Sequence, residues 1–263
     1  MELGGSVAIV TGGATGIGRA VCLDLARAGA RGVVVNYSRS AAEAESTAAE
    51  LAALGAEGLP LRADVADESQ VKAMVDQAAG HFGRIDVLIN NAGTTRFIPF
   101  PDLDAVTEEV WRAILGTNLM GPWFAARAAA PHLKRARGCI VNVASIAGLR
   151  GSGSSIPYGV SKAALTQLTR ALAIALAPEV RVNAVNPGLV ATRWFRQGFG
   201  EEHASAQEVA MAGRTPLRQV VSPEQVAHAV MGLIRSECRH RPAPGRRRRR
   251  QHHLLRRPFP YSG

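Results

Sequence analysis

A chain of 263 residues, 47% of them hydrophobic, can close one α/β core but is short for two, so a single domain is expected. Cys22, Cys139 and Cys238 show no CxxC spacing, which argues against a zinc site or a disulfide framework and suits a reducing cytosol. The formal charge of +10 is local: the segment 235–263 carries ten arginines against Glu237, a net +9, leaving +1 for the first 234 residues and no reason to read the body as a polyanion binder.

The N-terminus lacks the charged-then-apolar order of a signal peptide. No apolar run approaches the roughly 18 to 20 residues that cross a bilayer, so a cytoplasmic protein without a membrane partner is expected. The first strand is expected at Val7–Val10, followed by the glycine-rich turn Thr11-Gly12-Gly13-Ala14-Thr15-Gly16-Ile17-Gly18 and a helix over 18–28. Glycines in that place let backbone N–H groups approach a diphosphate at a helix N-terminus. A strand at 32–36 leads through Tyr37, Ser38 and Arg39 to a helix at 41–54 with Ser40 as its cap. A third strand at 58–61 precedes Asp64 and Val65, and a helix spans 68–79.

The fourth strand, 87–90, runs into Asn91-Ala92-Gly93, and the next helix is placed at 118–133. A fifth strand at 139–143 is followed by Ser145, and a helix over 158–176 opens with Tyr158-Gly159-Val160-Ser161-Lys162. Tyr and Lys four residues apart share one helix face. The sixth strand, 181–185, leads to Asn186-Pro187-Gly188 and Thr192. The segment 188–221, with Trp194, Phe195, Phe199 and Met211, reads as a lid or substrate segment, and a last helix at 223–234 has Ser222 as cap and proline at its first position. Strands alternating with helices predict an α/β, doubly wound, Rossmann-type parallel sheet covered by helices on both faces. The domain is placed at 1–235 and an Arg-rich, disordered tail at 236–263.

The TGxxxGxG turn, Asn90-Asn91-Ala92-Gly93, and the ordered set Asn118, Ser145, Tyr158 and Lys162 together resemble the short-chain dehydrogenase/reductase family, closest in type to its 3-oxoacyl-[acyl-carrier-protein] reductases. The resemblance extends over residues 7 to about 234. It implies an NAD(P)-dependent oxidoreductase acting on a small carbonyl or alcohol substrate, assembled as a homo-oligomer, dimer or tetramer, with no metal.

Asn118, Ser145, Tyr158 and Lys162 would be the catalytic tetrad, with Tyr158 the proton donor, Ser145 a hydrogen-bond donor to the substrate oxygen, and Asn118 the holder of a water. Lys162, together with the positive nicotinamide ring, would lower the Tyr158 pKa, and it would also bind the nicotinamide ribose. The cofactor would meet Gly12, Thr15, Gly16, Ile17, Gly18, Asp64, Val65, Asn91, Ala92, Gly93, Tyr158, Lys162, Pro187, Gly188 and Thr192. At the end of the second strand no carboxylate faces a ribose 2′-hydroxyl, while Ser38 and Arg39 can hold a 2′-phosphate, so NADP(H) is preferred and NAD(H) remains possible.

Thr94, Arg96, Phe97, Ile146, Arg150, Ile156, Leu189, Trp194 and Phe195 are expected around the substrate, a mostly apolar set with two arginines for an anion. A general carbonyl reductase ranks above a fatty-acid elongation enzyme, because Ala130 stands where an arginine for the acidic carrier is usual. An NAD-dependent alcohol, sugar or steroid dehydrogenase is the alternative; a non-catalytic cofactor-binding regulator is an alternative of another class. The tail replaces the seventh strand usual in this family. Arginine outnumbers lysine 28 to 3, the sign of a GC-rich gene, and a shifted frame from Cys238 can encode AVTGPLLVDGGAG, so a frameshift near Glu237 is expected. The rival reading of the tail is a basic arm for nucleic acid or acidic membrane.

Overall fold

A computed structural model describes residues 1–190, 210, 212–213, 215 and 217–236. The strands are β1 (Val7–Val10), β2 (Gly32–Tyr37), β3 (Glu57–Arg62), β4 (Val87–Asn90), β5 (Cys139–Val143) and β6 (Arg181–Val185). They form one sheet in the order β3-β2-β1-β4-β5-β6, and every pairing is parallel. The helices are α1 (Gly16–Arg27), α2 (Ala41–Ala53), α3 (Glu68–Phe82), α4 (Glu108–Leu115), α5 (Gly121–Ala136), α6 (Ile156–Ala175) and α7 (Pro223–Arg235). The domain is therefore the doubly wound α/β sheet expected from the alternation of strands and helices.

Burial explains why β1 is apolar throughout, while the buried Asn90 of β4 and Asn142 of β5 hydrogen-bond each other. Along β1, Ala8 and Val10 face a layer made with Val21 and Leu25 of α1 and Val230 and Ile234 of α7. Val7 and Ile9 face the opposite layer, with Met74 and Val75 of α3, Ala129 and Leu133 of α5, and Leu172 of α6. Successive side chains of a strand point to opposite faces, and both faces here are covered, so no polar position survives in β1. The edge strands β3 and β6 are covered less completely, and their residues are mostly half-exposed. Among the described residues β6 has no partner on its outer side. Of the expected lid segment 188–221, residues 191–209, 211, 214 and 216 lie outside the described residues, as does the tail from 237.

The helix ends follow local chemistry. Asp67 accepts from the N–H groups of Ser69 and Gln70 at the start of α3. Ser222 and Gln225 form a reciprocal capping box on α7, with Pro223 at the first helical position. Ser40 stands at the cap of α2, but its side chain makes no cap hydrogen bond.

One expectation needs correction. The helix placed at 118–133 is the second part of a longer path: α4 is capped by Thr107, then a π-helical turn over Gly116–Met120 carries Asn118 before α5 begins. Such one-turn π segments widen a helix locally and often occur at functional sites. Among the described residues no helix is long and apolar enough to cross a membrane, and no cluster of His, Cys, Asp or Glu has metal-site geometry.

Candidate active site

The order of the strands reverses between β1 and β4, and a crevice opens there outside the carboxyl ends of the strands, as open parallel sheets require. A cleft of about 1100 Å³ follows this line from the β1–α1 turn to the first turn of α6. A single drug-sized ligand usually occupies about 300–1,000 Å³, so this cleft has room for a dinucleotide with a substrate beside it.

At the first end, the turn is built for close approach of backbone to ligand. Gly12 and Gly16 have φ of +62° and +54°, and a β-carbon on Gly12 would lie 3.1 Å from the Ala92 Cα. Thr15 caps α1 without a side-chain hydrogen bond, and no acidic residue stands in the first helical turn. The helix N-terminus is thus left available to an anion, and the residues present fit the diphosphate of a dinucleotide.

Asn36 at the end of β2 holds the turn in place. Its Oδ1 accepts from the Gly12 N–H at 3.2 Å, while its Nδ2 donates to the Leu61 and Ala63 carbonyls at 3.3 and 3.1 Å. Thr11 joins the same turn to the β4 loop, its Oγ1 accepting from the N–H groups of Asn91 and Ala92 at 3.0 and 3.1 Å. Asn91 Nδ2 donates back to the carbonyls of Thr11 and Gly12.

At the other end, Ser145, Tyr158 and Lys162 converge on the cleft. Ser145 sits just past β5 and accepts from the Ala147 N–H at 3.1 Å. Its side chain also hydrogen-bonds the Tyr158 phenol. Ser155 caps α6 by accepting from the Tyr158 N–H, which places the phenol in the first turn of that helix. One turn on, Lys162 lies with Nζ 5.7 Å from the centre of the Tyr158 ring and donates to the Val143 carbonyl at 3.0 Å.

Burial pushes the Tyr158 phenol above its ordinary value, and the Ser145 hydrogen bond offsets that only in part. Lys162 is itself buried and turned toward the Val143 main-chain carbonyl. Its ammonium is pushed down from 10.5 to about 8.

Asn118 is fully buried on the π turn and does not line the cleft. Its Oδ1 accepts from the Thr94 N–H at 2.8 Å, and its Nδ2 donates to the Thr94 carbonyl at 2.9 Å and to Ser161 Oγ at 3.0 Å. Ser161 Oγ in turn donates to the Tyr158 carbonyl at 2.7 Å. A β-carbon placed on Gly93 would lie 3.5 Å from Asn118 Oδ1 and 3.6 Å from Lys162 Nζ, so both groups border the same small space.

Of the residues singled out in the sequence, Gly12, Thr15, Gly16, Ile17, Ser38, Arg39, Asp64, Val65, Asn91, Ala92, Gly93, Pro187 and Gly188 line the cleft, as do Thr94, Arg96, Phe97, Ile146 and Leu189. Gly18 does not; it packs against the turn, where a β-carbon would fall 2.1 Å from the Gly12 carbonyl oxygen. Arg150 and Ile156 stand outside the cleft, one on the exposed turn after the short 3-10 helix and one at the first position of α6. Thr192, Trp194 and Phe195 lie outside the described residues. Sequence reasoning missed the structural part played by Asn36, and it missed Thr95 and Ser154, whose hydroxyls are 2.6 Å apart in the cleft wall.

A parallel sheet with a diphosphate cradle at its switch point, leading to a Ser-Tyr-Lys group, is the architecture of a dinucleotide-dependent oxidoreductase. The chain belongs to the short-chain dehydrogenases, whose family model matches residues 6–202. It is an NAD(P)-dependent short-chain dehydrogenase/reductase. It is 50% identical over 231 residues, 88% of this chain and 90% of the relative, to "Granaticin polyketide synthase putative ketoacyl reductase 2" of Streptomyces violaceoruber. A 3-oxoacyl-[acyl-carrier-protein] reductase of Thermotoga maritima is 36% identical over 244 residues, 90% of this chain and 93% of the relative. A crystal structure of a "putative short-chain dehydrogenase/reductase" from Burkholderia xenovorans superposes with a TM-score of 0.80 at 35% identity, covering 90% of this chain and 92% of that one.

Proposed function

We propose that this enzyme reduces the keto group of a ketone or 3-oxoacyl substrate with NADPH, Tyr158 acting as the general acid. The observation that carries the reading is the meeting of Ser145, Tyr158 and Lys162 at one end of a cleft whose other end is an uncapped helix N-terminus. The two reductase names among the relatives support the same substrate class.

When bound, the nicotinamide supplies the hydride that adds to the carbonyl carbon. Tyr158 then transfers its phenolic proton to the carbonyl oxygen as negative charge develops there, and Ser145 donates a hydrogen bond to the same oxygen. The raised pKa of Tyr158 suits this direction, since burial keeps the phenol protonated until it is needed. Lys162 stabilises the phenolate left behind and reaches the ribose. Asn118 uses the free lone pair of Oδ1 to hold a water beside Gly93, through which the phenolate regains a proton. Ser38 and Arg39 receive the 2′-phosphate that distinguishes NADPH.

The catalytic domain is assigned to 1–235, with 188–221 as its substrate-binding or lid segment, and 236–263 to a shifted reading frame in the gene or its record. A cytoplasmic homo-oligomer completes the proposal. The test is the loss of absorbance of NADPH and NADH with a panel of ketones, beside Tyr158→Phe. Turnover with NADPH that falls by about three orders of magnitude in the variant supports the reading. Cofactor binding without turnover in wild type would favour a regulator, and activity confined to NAD and alcohols would favour a dehydrogenase.

A further inference from the structure

The two arginines expected near the substrate part company in the structure. Arg150 stands outside the cleft, whereas Arg96 lines it. Among the described residues, the one acid that lines the cleft is Asp64, at the end away from Tyr158, where its Oδ1 accepts from the Ala66 N–H at 3.0 Å. The substrate end therefore holds the cations Arg96 and Lys162 with no carboxylate between them. No described residue forms an ion pair with Arg96.

Arg96 is also carried on a fixed base. The Thr94 backbone is held on both sides by Asn118. Thr95 Oγ1 donates to the Arg96 carbonyl at 3.2 Å and lies 2.6 Å from Ser154 Oγ, and the Ile98 N–H donates to the Ser154 carbonyl at 2.9 Å. The loop is thus laced to the segment that leads directly into the Tyr158 helix. A long cationic side chain on a mobile loop would lose much of its binding energy to ordering, and this lacing reduces that cost for the backbone.

We propose that the enzyme selects ketones that carry an anionic oxygen group, a carboxylate or a phosphate, away from the keto carbon, and that Arg96 receives that group. The inference rests on the ketone-reductase reading above and adds the charge of the substrate to it. A guanidinium binds carboxylate or phosphate through paired N–H donors, and in a partly enclosed cleft that contact favours the anion over a neutral ester of the same length.

The experiment compares matched substrates: acetoacetate with ethyl acetoacetate, and acetoacetyl-phosphopantetheine with acetoacetyl-pantetheine, in wild type, Arg96→Gln and Arg96→Lys. In Arg96→Gln the ratio of kcat/KM for the anionic over the neutral member is expected to fall about tenfold, equivalent to about 1.4 kcal/mol. Arg96→Lys should recover part of it. The pair in which the ratio falls tells carboxylate from phosphate, and either supports the proposal. In wild type, added salt should raise KM for that anionic substrate and not for its neutral partner. Ratios that are unchanged in Arg96→Gln for both pairs, with wild type reducing the ketones, overturn this proposal alone. Failure of wild type to reduce any ketone overturns the reductase reading as well.

Discussion

Asn118 grips the backbone of Thr94 from both sides, accepting from its N–H at 2.8 Å and donating to its carbonyl at 2.9 Å. The amide thereby ties the π turn to the loop that follows β4, and its second proton ties both to Ser161 on the helix of Tyr158 and Lys162. Asn118→Ala leaves the buried Ser161 hydroxyl and the half-buried Thr94 backbone without these hydrogen bonds, at about 1–3 kcal/mol for a buried unsatisfied group and less where water can reach. A loss of about 2–4 kcal/mol in urea unfolding is expected, with kcat lowered at least tenfold because the Thr94 loop loses its tie to Ser161 on the Tyr158 helix. Unchanged unfolding would show that the clamp does not hold the loop.

This clamp also shows where sequence reading stops. The six strands were legible because β1 is a continuous apolar run and β4 and β5 are apolar apart from Asn90 and Asn142, and the glycine turn and the Tyr158/Lys162 pair because their spacing is local. The helix α4 was missed although Thr107 and the two glutamates after it form a recognisable start; Gly116 and Thr117 interrupt the pattern before Asn118. No local pattern reports that Asn36 will bridge to Gly12, or that Thr95 will meet Ser154, since each pair is brought together by the sheet from 24 and 59 residues away. Arg150 and Ile156 were expected around the substrate, and neither lines the cleft.

Two glycines separate packing from propensity. At Gly18 a β-carbon would fall 2.1 Å from the Gly12 oxygen and 2.6 Å from Asn91 Nδ2, so Gly18→Ala must displace the turn. Its KM for NADPH should rise roughly tenfold or more, with a lower melting temperature, because the diphosphate cradle loses its shape. Gly80, exposed within α3, meets nothing within 4 Å. Gly80→Ala is expected to stabilise by about 0.5–1 kcal/mol with kinetics unaltered. Thermal melts and cofactor titrations of the two variants decide both points, and a Gly18→Ala protein with normal KM would remove the packing argument.

Lys162 makes stability depend on pH in a definite direction. Its ammonium is pushed down from 10.5 to about 8 in the fold. Between those values the unfolded chain binds the extra proton, so folding stability rises with pH across that window. Below about 8 the cost of the buried charge is present in full, and above 10.5 it has vanished. The stability of Lys162→Met relative to wild type should therefore decline by about 3 kcal/mol from pH 8 to pH 10.5. Urea titrations of both proteins at about pH 7.5, 9 and 10.5 measure this, and a constant difference would mean that Lys162 is not penalised by burial.

The same titration reaches the chemistry. In the proposed reduction the proton comes from Tyr158, whose phenol is held above its ordinary value by burial, so loss of the acid itself belongs to strongly alkaline solution. Lys162 loses its charge first, near pH 8 in the cofactor-free protein, and with it the field that stabilises the phenolate. The reductive kcat/KM is expected to decline above about pH 8, and Lys162→Arg, whose guanidinium stays charged, should lack that decline at a lower overall rate. A profile flat to about pH 10 in wild type would separate Lys162 from the proton transfer.

The proposed preference for NADPH rests on the short segment after β2. Ser38 and Arg39 line the cleft where that strand ends, with Asn36 occupied in holding Gly12 and therefore unable to serve the ribose. A charge-assisted hydrogen bond to a phosphate contributes about 1.5–3 kcal/mol, roughly a 10- to 100-fold effect on affinity. Arg39→Ala should weaken NADPH by that factor while NADH changes little, since the 2′-hydroxyl of NADH offers the guanidinium no charge. Arg39→Asp should go further and invert the preference, a carboxylate accepting from the hydroxyl and repelling the phosphate. Dissociation constants from protein fluorescence for both cofactors, at low and at high salt, give the ratio directly. An equal change for NADPH and NADH in Arg39→Ala would place the phosphate elsewhere.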